Sequence, residues 1–174
     1  MFIASIIAVA LVGQMIVPEV KYDKFNDTTS MRMNLGKLPD EEECDSCVAI
    51  VAFYPGKKPK IDSLKDDVAD VDLEVRLAFY RHDGGQKYGA SHEVKMMCGD
   101  ERIPLSNQSY GFGPSGRHNG EIVLVEVDLP TLRKYLAEKK DWDVKIGRSE
   151  PFCLTADYRM GMLLFIRFLE DKAG

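Results

Sequence analysis

Apolar and polar residues alternate with a period of two through several stretches of the chain, the pattern of strands with one covered face. From Asp72 to Arg81, DLEVRLAFYR, the side chains of Leu73, Val75, Leu77 and Phe79 share one side. Asp72, Glu74, Arg76 and Tyr80 share the other. Glu121 to Leu129 repeats the pattern with Val123, Val125, Val127 and Leu129 inward. Thr29 to Leu35 sets Met31, Met33 and Leu35 together, and His92 to Cys98 sets Val94 with Met96. Cys47 to Tyr54, CVAIVAFY, is apolar on both sides, which predicts a central strand covered on both faces.

Gly99-Asp100 reads as the two-residue turn of a hairpin, with glycine first as a type II′ turn requires. That loop pairs Cys98 with Glu101 and Met97 with Arg102. It gathers Val94, Met96, Ile103 and Leu105 on one face and turns Lys95 and Arg102 to the other. Pro104 must then lie at a sheet edge or bulge.

Two stretches change to a helical period. Asp128 is an N-cap candidate followed by Leu129-Pro130, and the helix runs to about Lys139 with Leu129, Leu132 and Leu136 on one face. Lys139 and Lys140 suit its C-terminal dipole end. The second helix starts at the N-cap Thr155, with Asp157 in its first turn. Tyr158, Met162, Phe165, Ile166 and Leu169 form its apolar stripe, which Met160, Leu163, Leu164 and Phe168 widen. So wide a stripe predicts a largely buried helix. The fold class is therefore α+β: a curved antiparallel sheet packed on a largely buried C-terminal helix. Gly56 to Asp70 and Glu41-Glu-Glu43 read as solvated segments.

The N-terminus departs from this texture. No charge occurs from Met1 to Val17, and its strongly apolar part is Phe2 to Val12. The length falls between a secretory core and a membrane span, and Gly13 and Gln14 favour the former. Residues 1–17 are therefore expected to be a signal peptide or N-terminal membrane anchor, although no basic residue precedes the run. The competing reading is a buried first strand in a cytosolic protein. Residues 18–174 then form one domain of common size.

Composition narrows the partners. The chain is 45% hydrophobic and 29% charged, with a net charge of −5. Its Lys and Arg are dispersed, so no nucleic-acid partner is expected. The acidic balance leaves membrane contact only to the N-terminal segment, if it is uncleaved. The localisation that follows is secreted, periplasmic or cell envelope.

Three segments carry a resemblance. Lys21-Tyr-Asp-Lys-Phe25 with Thr28-Thr29, Gly99-Asp-Glu-Arg-Ile103, and Ile146-Gly-Arg-Ser-Glu-Pro-Phe-Cys-Leu-Thr155 together resemble a diffuse group of exported bacterial proteins of uncharacterised function. The resemblance spans most of the chain after Val17. It implies export and a single domain, and it transfers no catalytic residue.

Cys44-Asp-Ser-Cys47 is the most suggestive chemical motif. A redox dithiol needs a lowered thiol pKa beside positive charge, whereas Glu41, Glu42, Glu43 and Asp45 surround these thiols. Zinc needs four ligands. Cys98, Cys153, His82, His92 and His118 are scattered, so a site from Cys44, Cys47, Cys98 and a histidine has no spacing to support it. Four cysteines in an exported chain favour disulfides, with three connectivities if all pair, or buried free thiols.

Gly111-Phe-Gly113-Pro-Ser-Gly116 spells a dinucleotide fingerprint, but Pro114 sits inside it and a strand follows. It reads as a mobile connection whose Tyr110, Phe112, Arg117 and His118 are ligand-binding candidates. Asp72 and Glu74 resemble a carboxylate pair, but Arg76 balances them as a solvated face. Trp142 and Tyr135 are expected to cap the core edge. No residue pattern marks a catalytic nucleophile, and no cofactor is expected. The sequence points to an exported non-enzymatic domain that binds a partner or is structural at the cell envelope. The alternative is a thiol- or metal-dependent enzyme centred on Cys44 and Cys47.

Overall fold

The structure is a computed structural model that describes residues 17–38, 47–59, 73–81, 88, 92–115 and 118–173. Among these the chain forms ten strands and two helices. A six-stranded antiparallel sheet has the order β1-β2-β3-β4-β8-β7. Its strands are β1 (Glu19–Asp23), β2 (Thr28–Lys37), β3 (Cys47–Pro55), β4 (Glu74–Arg81), β7 (Gln108–Ser115) and β8 (His118–Glu126). A four-stranded sheet has the order β10-β9-β5-β6, built from β5 (Val94–Cys98), β6 (Glu101–Arg102), β9 (Trp142–Ile146) and β10 (Phe152–Leu154). Helix α1 (Leu129–Ala137) follows β8, and helix α2 (Ala156–Ala173) ends the described chain.

The α+β architecture holds, with the antiparallel strands divided between two sheets that share one core. Rows of side chains run across the larger sheet. Met33 opposes Ile50, Ile50 opposes Leu77, and Leu77 opposes Val125. The neighbouring row runs from Val48 through Phe79 and Val123 to Tyr110. Val94, Met96, Val144 and Ile146 of the smaller sheet join the same core. Phe79 of β4 meets Phe152 of β10 edge-on, with ring centroids 5.9 Å apart. The Gln108 side chain also links the sheets, because its carboxamide accepts from Val94 N at 2.8 Å and donates to Val94 O at 3.3 Å.

β3 is buried on both faces, as its sequence predicts, but the two covers differ. Its inner residues Val48, Ile50 and Ala52 enter the main core. Its outer residues Ala49 and Val51 join Ala78 in a small second cluster with Phe53, Tyr80 and Leu124. Two guanidinium groups lie over that cluster, Arg32 at 4.6 Å from the Tyr80 ring and Arg76 at 5.4 Å from Phe53. Arg76 also pairs with Glu74, so the charged row here is balanced. Long cationic side chains can cover apolar surface while their heads stay in water.

Both helices form where expected. Asp128 caps α1, its carboxylate accepting from Thr131 N at 2.7 Å, and Leu129, Leu132, Tyr135 and Leu136 are buried. Tyr135 and Trp142 are each only 2% exposed, so they belong to the core rather than cap its edge. α2 presses Met162, Phe165, Ile166 and Leu169 into the core, each anchor worth about 1.5–3 kcal/mol if fully buried. The expectation of a largely buried helix is corrected here. Met160, Leu163 and Leu164 are 58%, 43% and 41% exposed, so α2 is buried along one face only. The helix lies on a sheet rather than inside a closed barrel, and nothing among the described residues covers its second apolar side.

The Gly99–Asp100 hairpin has the expected register, Cys98 with Glu101 and Met97 with Arg102. Gly99 has φ 59° and Asp100 has no positive φ, the sign pattern of a type II′ turn. Val94, Met96 and Ile103 are buried, and Lys95, Arg102 and Pro104 are exposed at the β6 edge. Gly99→Val should therefore cost about 1–3 kcal/mol in urea unfolding, because a branched residue is strained at positive φ. Asp100→Asn should match the wild type. Equal midpoints for Gly99→Val and the wild type would remove this turn.

Candidate functional site

Three of the four cysteines are described, and they stand apart. Cys47 opens β3 on the outer face of the larger sheet. Cys98 ends β5 opposite Trp142, and Trp142 in turn opposes Leu154. Cys153 is adjacent to Leu154 on β10, so it points to the other face of that sheet from Cys98. All three thiols are free, and the expectation of a disulfide among them is not met. Cys44 lies outside the described residues.

Burial is the first cause that raises each thiol pKa. For Cys47 the nearby Arg32 opposes the rise. For Cys98 the Glu138 carboxylate adds to it, and for Cys153 Asp141 and Asp143 do. The acidic neighbourhood from Glu41 to Asp45 lies outside the described residues, and the cause seen at Cys47 is desolvation. Either way a thiolate is disfavoured. Cys47 and Cys98 stand on different sheets, and among the described residues no three His, Cys, Asp or Glu side chains gather as metal ligands.

The glycine-rich segment is not a mobile connection. It is β7 and the start of β8, paired from Gln108–Val125 to Ser115–His118. Gly111 serves the strand. A Cβ on Gly111 would lie 2.9 Å from Ile122 Cγ2 across the ladder. The alternation of Tyr110 and Phe112 with glycine is the signal for a strand.

Of the candidates on this segment, the hairpin sets Tyr110, half-buried, and Phe112, 43% exposed, on the core side of the sheet, opposite Val123 and Glu121. Arg117 lies outside the described residues, and His118 opens β8. The group around Tyr110 is instead drawn from other elements. His92 stacks on its ring at 4.6 Å and 15°. Its hydroxyl donates to Glu121 Oε1 at 2.9 Å, and Glu121 Oε2 accepts from Tyr88 N at 3.4 Å. Arg81 stands directly across from Glu121 on β4, and its guanidinium lies 5.7 Å from the Tyr88 ring centroid. Arg81 and Glu121 are 3% and 2% exposed. The apolar rows of the sheet thus end in a charged row that closes the core.

A second feature is hidden in the sequence. Met160, Leu163, Leu164 and Arg167 fall on one side of α2, at the spacing of an amphipathic face. With Arg133 and Glu170 they line a cleft of about 400 Å³ between α1 and α2. Arg133 Nη2 meets Glu170 Oε1 at 2.8 Å and ties the two helices across one wall. A helix apolar on two sides has two surfaces to cover, and from sequence the second side reads as more core.

No helix among the described residues is long and apolar enough to cross a membrane. The chain matches no family model, and the searches of curated proteins and of solved structures found no match.

Two measurements check this geometry. Burial, the hydrogen bond to Glu121 and its charge push the Tyr110 phenol up from 10.0 to about 12. A phenol whose folded pKa is raised stabilises fully below its unfolded value and loses that contribution as pH rises through its folded value. Stability should therefore fall between pH 10.0 and about 12, and Tyr110→Phe should flatten that fall. An unchanged alkaline profile in the variant would remove the contact. For the thiols, alkylation of the native chain at neutral pH should be no faster than that of a free cysteine derivative. Cys98 should react only on unfolding, whereas fast labelling of Cys47 would restore the redox reading.

Proposed function

We propose that this chain is an exported, non-enzymatic binding domain of the cell envelope, and that its partner docks in the cleft between α1 and α2. The observation that carries the reading is the exposed trio Met160, Leu163 and Leu164 around that cleft. Contiguous exposed apolar surface marks interaction sites. Methionine and leucine on a helix face adapt to varied apolar anchors.

Shape and charge select the occupant. A cleft receives an inserted side chain, which a flat lipid surface does not offer. Arg133 and Arg167 outnumber Glu170 along it, on a chain whose net charge is −5. The complementary partner is a protein segment that carries apolar anchors beside acidic residues. Export rests on the uncharged run from Met1 to Val17 and on the resemblance to exported bacterial proteins. The raised pKa of the Cys47 thiol argues against the thiol-enzyme alternative.

Photocrosslinking side chains at positions 163 and 164 of the full chain, in its own cell, test the reading. They should join it to an acidic, apolar segment of one envelope protein, and Arg167→Glu should abolish the adduct. The intact mass of the adduct should show the chain without its leader, or still carrying it in the membrane fraction. Adducts no more frequent than at the exposed Asp143, or a basic captured segment, would overturn the docking site. Recovery of the uncleaved chain from the cytosol would overturn export.

A further inference from the structure

We propose that the free edge of β1 pairs with β1 of a second copy of this chain, antiparallel about Val20, to join two six-stranded sheets into one. β1 is the terminal strand of its sheet, and all five of its residues are exposed. Among the described residues it is held by β2 on one edge only. An exposed edge strand is a template for another strand, and charges such as Glu19, Lys21 and Asp23 blunt it unless they meet opposite charges across the ladder.

The sequence of β1 selects the partner and the register. Val20 opposes the buried Met31 and so lies on the core side of the sheet. Tyr22 shares that side, and Glu19 and Lys21 take the other. Their side chains meet at 2.8 Å within one copy. Centred on Val20, two antiparallel copies place each Glu19 opposite Lys21 of the other. Val20 then faces Val20 on the core side. Charged pairs fall on one face and the valine pair on the other, and opposite charges directly across a ladder are favourable.

Two other registers fare worse: centred on Tyr22, the copies overlap only over 21–23, because the strand ends at Asp23 and the chain turns at Lys24. Centred on Lys21, the copies set Lys21 against Lys21 and Glu19 against Asp23, all like charges. Shifting the centre by one residue therefore turns attraction into repulsion. Val20, 44% accessible, and Tyr22, 40% accessible, gain cover in either arrangement, so the charges choose between them.

Sedimentation of the purified full chain, from micromolar to sub-millimolar concentration, should show a monomer–dimer equilibrium. Lys21→Glu makes the edge acidic and Glu19→Lys makes it basic. Each variant alone should weaken dimerisation by about tenfold or more. An equimolar mixture should restore it, because the two acidic positions of one copy then face the two basic positions of the other. Urea midpoints near the wild type establish that both variants fold. A separate readout is Val20→Cys, which should form an interchain disulfide under mild oxidation faster than Tyr22→Cys. A monomeric wild type would overturn the proposal. So would single variants that dimerise like the wild type, a mixture no tighter than its components, or faster bridging through position 22. Association through the apolar N-terminal run would be indifferent to both charge reversals.

Discussion

Met33, Ile50, Leu77 and Val125 stand in one row across β2, β3, β4 and β8, and none is more than 2% exposed. The rest of the structure depends on that register. A slip of one residue in any of these ladders would turn its side chains to the opposite face. Leu77 would then exchange places with Arg76 or Ala78. The core that α1, α2 and the smaller sheet share would lose its floor, and the outer face would gain leucines that two arginines cannot cover. The same register carries the row beyond Phe79 into Arg81 and Glu121, which puts two charges at the end of an apolar column.

That charged end is unlike the charged outer face. Arg32 and Arg76 lie on rings with their heads near water, where such contacts contribute about 0.5–1 kcal/mol each. Arg81 and Glu121 are buried on facing positions of the ladder, where each charge carries a desolvation cost. A leucine pair would fill the same space at less electrostatic cost. The buried pair instead fixes orientation: Glu121 holds the Tyr110 hydroxyl, Tyr110 carries the His92 ring, and Gln108 two residues away holds β5. β7, an edge strand rich in glycine, is thereby anchored by polar contacts rather than by packing alone.

The strands were legible because each buries one side, and period two shows through composition. Both helices were legible for the same reason, with Asp128 marking where one starts. The Gly99–Asp100 turn was readable down to its pairing, since Val94, Met96 and Ile103 agree on a face in only one register. What local reasoning missed concerns relations between distant segments. The division into two sheets depends on which strands meet across the core, and neither Phe79 nor Phe152 announces the other. Four glycines outweighed the alternation of Tyr110 and Phe112, although the ladder opposite Ile122 favours a glycine at 111. The group around Tyr110 draws on residues from 81 to 121 and has no sequence motif.

The error on α2 has a different origin and says most about function. Hydrophobicity reports that a side chain prefers cover, without reporting whether this chain supplies it. Met162, Phe165, Ile166 and Leu169 are covered by the fold's own sheets, and Met160, Leu163 and Leu164 are not. Both sets read alike in sequence because the physical preference is the same. A helix devoted only to its own core would place charge on the second side, as α1 does at Arg133 and Lys134. α2 instead carries a second apolar strip, at a standing cost in solubility. Under the proposed function that strip is the surface which a partner's apolar anchors cover.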